Sequence, residues 1–177
     1  MAEVVWEPPL EPETLWQFRV GQLLLLMTVT GDIVGRGVDV DRLAYYDFFA
    51  ANPFLIYEKV APERLQFSLA GFDSQVLSYA SSAQRFANRR RRLEEDLARM
   101  ASLGLVRPHT SARRVEWALE DVGREVASSF TAMYASAYLA SARVVVRRLR
   151  TLSDRRLRER SLEWLKARDF LLDLSER

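Results

Sequence analysis

Residues 81–106, SSAQRFANRRRRLEEDLARMASLGLV, set four consecutive arginines almost directly before Glu94, Glu95 and Asp96. Guanidinium groups at this density can neutralise a phosphate backbone. Carboxylates four residues further along a helix can neutralise the guanidinium groups instead. On a helix, Arg85, Arg89, Arg92 and Arg99 share one face at steps of 4, 3 and 7, opposite Leu93, Leu97 and Met100. Such a basic stripe, with Asn88 beside it, is what contact with phosphates or base edges uses. Against it stand Arg90–Glu94, Arg91–Glu95 and Arg92–Asp96, all i,i+4 pairs worth about 0.2–0.5 kcal/mol each. An acidic triplet on the approaching element also opposes DNA. The favoured reading is a solvated, self-paired helix face, ahead of nonspecific phosphate contact and then base readout.

The segment HTSARR (109–114) adds Arg113 and Arg114 beside His109, the only histidine. His109 reads as a turn residue, because a lone histidine without cysteine or clustered carboxylates is no metal site. There is no cysteine, which excludes disulfides and thiolate chemistry and fits a reducing cytoplasm. No nucleophile–base set is readable, and GDIVGRG (31–37) lacks the strand, lysine and spacing of a phosphate-binding loop. The expectation is a protein that is not an enzyme and holds no cofactor or metal.

Charge is unevenly distributed around a net value of +2. Residues 1–18 carry four glutamates and no basic residue. Arg85–Arg114 has nine arginines against three acids, and Arg143–Arg168 has nine arginines and Lys166 against Asp154, Glu159 and Glu163. Two basic regions suit an acidic partner, either nucleic acid or an acidic protein surface. Lysine is nearly absent, two against 24 arginines, which genome composition explains as readily as phosphate binding. The first residues, MAEVVWEPPLEPE, are acidic and proline-bearing, unlike a signal peptide. The longest apolar run, LLLLM at 23–27, is far short of the roughly 20 residues a bilayer span needs. A soluble, cytoplasmic protein without membrane contact is expected.

These residues need elements to position them, and the composition favours helices: seven glycines and six prolines among abundant leucine, alanine, arginine and glutamate. Residues 1–13 read as an extended arm. Thr14 can cap a helix that is apolar on nearly every side after Val20 and stops at Gly31. VGRGV is a loop. Asp39 or Asp41 caps DRLAYYDFFAANPF (41–54), which Pro53 ends. Its aromatic residues exceed what one helix face can bury. They read mainly as core, with Tyr45, Phe48, Phe49 and Phe54 as candidates for a partner groove. Residues 54–80 suggest a loop and one or two short helices. Ser81 or Ser82 caps the arginine helix and Gly104 ends it. LVRP is extended, HTSARR turns, and VEWAL alternates as a half-buried strand does, so the three form a small hairpin. EDVGREVA opens another helix, and from Ala127 the chain reads as almost continuously helical. Val126, Phe130, Met133, Ala137, Ala140 and Val144 form a heptad-like seam there. TLSD breaks it, and Ser153 caps a last helix with Leu157, Trp164 and Leu171 seven apart, a stripe that must cover either the first domain or another chain.

Helix, Gly-ended helix, strand, turn, strand, helix is the order of a winged helix-turn-helix, in which the helix before the hairpin enters a major groove. LARMASLGLV and VEWALEDVGREVA resemble phrases found at the same places in winged-helix proteins. The fold expectation is therefore a mainly α protein. A winged helix-turn-helix domain with a small β-hairpin wing spans 14–122, and long C-terminal helices span 123–177. A winged-helix phrase behind RLAYYDFFAANPF, with RFANRRRRLEEDLARMASLGLV and long C-terminal helices, resembles the middle components of bacterial ABC-three component systems. Lamassu-type anti-phage systems use a similar subunit. The resemblance implies a non-enzymatic adaptor between an SMC-like ATPase and an effector in antiviral defence, making only auxiliary nonspecific DNA contact. The alternative is a dimeric winged-helix transcription regulator.

Overall fold

The computed structural model describes residues 14–35, 37–57, 61–72, 81–111 and 114–167. Within these, seven α-helices, one 3-10 turn and a three-stranded antiparallel sheet follow the order α1 (Trp16–Val34), β1 (Val38–Asp39), α2 (Val40–Ala51), a 3-10 turn (Pro53–Leu55), α3 (Pro62–Leu69), α4 (Ser82–Ser102), β2 (Val106–Ser111), β3 (Arg114–Leu119), α5 (Asp121–Ser128), α6 (Met133–Leu149) and α7 (Asp154–Ala167). The expected mainly helical chain with a hairpin after the arginine helix is what is observed.

Local chemistry explains most of the boundaries. Asp39 caps α2 by accepting from the Arg42 N–H at 3.0 Å, and Ser81 caps α4 by accepting from Gln84 N–H at 3.1 Å. At the far end of α4, Leu105 N–H donates to Met100 O at 2.9 Å and Gly104 N–H to Ala101 O at 3.0 Å. This paired closure requires the left-handed φ of +70° that Gly104 adopts. The start and stop of α1 differ from expectation. The cap position is Leu15, without a side-chain bond, and α1 runs through Gly31 to a left-handed cap at Gly35, whose N–H returns to Gly31 O. A glycine inside a buried helix costs about 1 kcal/mol, which the surrounding core tolerates.

The hairpin is longer than the sequence suggests. Val106 pairs with Leu119 and Ser111 with Arg114, so most of HTSARR is strand and His109 faces Glu116 across the ladder. His109 is thus a strand residue, with its Nε2 3.4 Å from Glu116 Oε2. The two-residue β1, which sequence patterning missed, pairs with β3 and gives the sheet order β1-β3-β2. Behind the hairpin, α5 packs at its glycine. A Cβ on Gly123 would lie 2.2 Å from the Leu105 carbonyl oxygen, a separation no side chain tolerates.

The helix read as continuous from Ala127 is two helices, α5 and α6, parted at Ser129–Ala132. The expected seam is also rotated. Met133 and Ala140 are exposed, whereas Ala135, Tyr138, Ala142, Val145 and Leu149 are buried at steps of 3, 4, 3 and 4. An alanine-rich helix offers two faces with the same spacing, and the larger Tyr138 and Leu149 decide which one α1 and α2 receive. Gly21 lies near Phe130 and Arg150 reaches Ile33 O, so α1 and α6 run side by side in the same direction. One hydrophobic core contains residues of α1, α2, α4, α6 and α7 and takes side chains from both sides of residues 122 and 123. No described helix is long and apolar enough to cross a membrane.

Candidate functional site

Helix α4 is tied to its neighbours through charge. Arg89 donates to both carboxylate oxygens of Asp47 on α2, and its Nη2 also reaches Gln22 Oε1 on α1 at 2.7 Å. From α6, the buried Tyr138 hydroxyl lies 3.4 Å from the same Asp47 oxygen, and Gln22 Nε2 donates to the Tyr134 hydroxyl. One ion pair and its amide therefore meet four helices. The side chains of Arg89 and Asp47 are only 13% and 6% exposed, which makes each the other's principal compensation for lost water. Burial, reinforced by the Asp47 charge, pushes the Tyr138 hydroxyl well above the usual phenol range, so it stays neutral.

Two turns along, Asp96 accepts both Nε and Nη2 of Arg19 at 2.7 and 2.9 Å, a bidentate geometry joining α4 to α1. Arg90 pairs with the exposed Asp41 of α2, and Arg85 donates to Asn52 Oδ1 at 3.2 Å. Arg90 and Asp96 therefore turn to α2 and α1, rather than to Glu94 and Arg92 on their own helix as expected. For Asp96 the bond across the packing interface wins because burial has removed it from water, whereas Arg90 exchanges one exposed acid for another.

A second cluster closes the other side of α2. Asp154, at the first turn of α7, accepts from Arg42 Nη2 at 2.6 Å and from Arg114 Nη1 of β3 at 2.7 Å, and Arg42 also donates to Leu152 O at 2.8 Å. The hydrogen bonds from Arg42 and then Arg114 hold the Asp154 carboxyl below its ordinary range. Around these pairs lies a cleft of about 600 Å³ walled by α2, α4, β3 and α7, with Tyr45, Glu94, Val115 and Arg158 on its margins. Four acids and four arginines share its walls. Among the described residues no His/Cys/Asp/Glu group is placed to hold a metal. The arrangement joins elements and presents a mixed-charge surface.

Residues 22–166 match the family described as ABC-three component (ABC-3C) system Middle Component 2. The chain belongs to that family. No curated protein and no solved structure matches it.

In this middle component the arginine stripe does not lie on one solvent face. Arg89 is enclosed between α1, α2 and α4, and Arg85 is half-buried. Arg92 is exposed, while Arg99 sits over the Trp16 ring at 4.6 Å. Asn88 is half-buried and accepts from Arg91 at 3.3 Å. Arg114 is engaged by Asp154, and Arg113 lies outside the described residues. The stripe divides because α4 has neighbours on two sides, so the Arg85–Arg89 edge faces α2 while Arg92 turns outward.

Most of the aromatic residues considered for a partner groove are engaged within the chain. Phe48 and Phe49 are 1% and 0% exposed, and Leu157 is 1% exposed. Phe49 meets Trp164 of α7 edge-on at 5.4 Å, and Phe48 meets Phe49 and Phe86. These residues, with half-buried Trp164, bind the protein's own helices because α2 is buried on almost every side. The stripe of α7 thus covers the first part of the chain. Tyr45 stacks on Phe86 at 5.2 Å, and Phe54 lies against Arg64 and Phe67. Leu171 lies outside the described residues. Sequence reasoning missed the roles of Arg19, Gln22, Asp47 and Asp154, and gave Asp96 to Arg92 rather than to Arg19. For Asp47 a signal existed: an acid inside YYDFF must find a buried cation.

Proposed function

We infer that the protein is a non-enzymatic adaptor that holds an effector on an SMC-like ATPase within a cytoplasmic anti-phage defence complex. The family match carries this reading, since a middle component belongs to a multi-component system with partner subunits. The disposition of charge supports it. Arg89 and Asp96 are spent inside the chain, and the cleft between α2, α4 and α7 has the mixed charge of a protein–protein surface.

The order α1, β1, α2, α4, β2, β3, with sheet order β1-β3-β2, supports a winged-helix ancestry in which α4 occupies the recognition position. With the Arg89 edge turned inward, contact with DNA falls to Arg92 and its exposed neighbour Arg91, acting on phosphates as an auxiliary role. Co-expression with an SMC-like ATPase and an effector of the same ABC-three component system tests the adaptor reading. A stoichiometric three-protein complex is expected, with weak, salt-sensitive and sequence-independent DNA binding by the isolated protein. A lone homodimer that binds one promoter sequence tightly and joins no ATPase would replace the adaptor with a transcription regulator.

A further inference from the structure

The cleft walled by α2, α4, β3 and α7 does not end at Glu94. A second cavity of about 420 Å³, lined by Phe86, Ala87, Arg90, Arg91 and Glu94, adjoins it, and the two share Arg90 and Glu94. Together they form one groove along α4, with Arg158 of α7 at one end, Arg90 and Glu94 in the middle and Arg91 at the other. At the α7 end its lining is partly apolar. Leu157 and half-buried Tyr45 lie beneath, and Val115 of β3 is 52% exposed.

Most charges around the groove are matched within the fold. Asp154 holds Arg42 and Arg114, and Asp41 holds Arg90. Among the described residues Arg158 and Glu94 make no hydrogen bond or ion pair, and Arg91 makes only a 3.3 Å bond to Asn88. Two guanidinium groups therefore flank one carboxylate, and none of the three meets an opposite charge. The matched pairs fix the walls in advance, so a ligand does not bear the cost of ordering them. The unmatched groups set its chemistry: carboxylates for Arg158 and Arg91, and N–H donors for Glu94 between them. Exposed Val115 beside Tyr45 adds an apolar side chain to that description. An extended peptide supplies all three at independent positions. A DNA backbone does not, because its evenly spaced phosphates would also meet Asp41, Glu94 and Asp154.

We propose, resting on the adaptor reading, that this groove receives an extended acidic segment of a partner subunit, with carboxylates at Arg158 and Arg91 and an apolar side chain against Val115 and Tyr45. The segment then lies beside the Asp154 joint and touches α4, β3 and α7 at once.

The chain has no native cysteine, so single introduced thiols report on the groove. Val115→Cys and Ala87→Cys place thiols in its two halves, and Met133→Cys, at a position 88% exposed on α6, is the control. Each full-length variant is labelled with a maleimide, alone and in complex with the SMC-like ATPase and effector of the same system, and modification is followed by mass spectrometry. Labelling of both groove thiols is expected to slow at least tenfold in the complex, while Met133→Cys changes less than twofold. Adding Arg158→Glu should restore most of the groove labelling and weaken the complex about tenfold, whereas Arg158→Lys should do neither. Groove thiols that label freely in an intact complex, or that slow no more than Met133→Cys, would overturn the proposal and leave the adaptor reading standing. Protection indifferent to Arg158→Glu would overturn it as well. So would protection by a random-sequence DNA duplex in place of the subunits, which would assign the groove to nucleic acid. If no complex forms, the adaptor reading falls and the docked segment with it. Unchanged circular dichroism of every variant keeps misfolding from imitating these results.

Discussion

The two arginine-rich regions have nearly equal net charge and opposite fates. In α4, Arg89 and Arg90 are drawn onto α2, and Asp96 is taken up by Arg19 of α1. In α6, Arg143 and Arg147 face solvent on a helix without acids. The difference lies in what the neighbouring helices offer. α1 and α2 bring Arg19, Asp41 and Asp47 to α4, while the α6 surface toward the same two helices is Tyr138, Ala142, Val145 and Leu149. Arginine density therefore says little about available cationic surface until the acids across each packing interface are known.

Four substitutions sharpen this contrast, taken from the largest expected effect. Asp47→Ala leaves Arg89 buried without its carboxylate and should cost about 3–5 kcal/mol in urea unfolding. Little loss would mean that Arg89 can escape to solvent. Asp96→Ala removes a bidentate acceptor from Arg19, which keeps its bond to Thr14 O, and about 2 kcal/mol is expected in the same assay. Arg90→Ala breaks an exposed pair and should lower stability by no more than about 1 kcal/mol, with added salt removing part of the difference. Arg143→Ala should fall within about 0.5 kcal/mol of the parent, because the side chain is exposed and makes no hydrogen bond or ion pair among the described residues. An Arg143 effect as large as that of Asp47 would abolish the distinction between the two regions.

The Asp154 cluster adds a dependence on pH. Its carboxyl pKa is depressed in the folded chain, so the stabilisation is fully present above the ordinary carboxylate value near 4 and is lost as pH falls through the lower folded value. Asp154→Asn should therefore be destabilising at pH 7 and converge with the parent in acid. Thermal unfolding across pH 3–7 measures both limits. A constant gap down to pH 3 would contradict the assignment.

Much of the fold could be read locally. Asp39 or Asp41, Ser81 or Ser82, and Gly104 mark the boundaries to within two residues because caps act over three or four residues, and the structure selects Asp39 and Ser81. The hairpin announced itself by alternation in VEWAL. The charge pairing was illegible because its partners lie far apart in sequence: Asp47 is 42 residues from Arg89, and Arg19 is 77 from Asp96. Local i,i+4 spacing offered a competing solution that packing overrides. The seam of α6 failed for another reason, since its small residues permit two rotational settings and only the neighbouring helices choose between them. The rings of 45–54 read mainly as core, and Phe48 and Phe49 entered as groove candidates because one helix face cannot hold so many rings, whereas α2 is enclosed on nearly all sides.

The carboxylate of Asp154 has a mechanical consequence. Through Arg114 it grips the strand that forms one side of the hairpin, and through Arg42 the first turn of α2, while its own backbone begins α7. Displacement of the hairpin by a bound molecule would thus load α7 at its root, at a single three-way joint. In an assembly of several subunits, that joint is where movement at one end of this protein would be transmitted to the other.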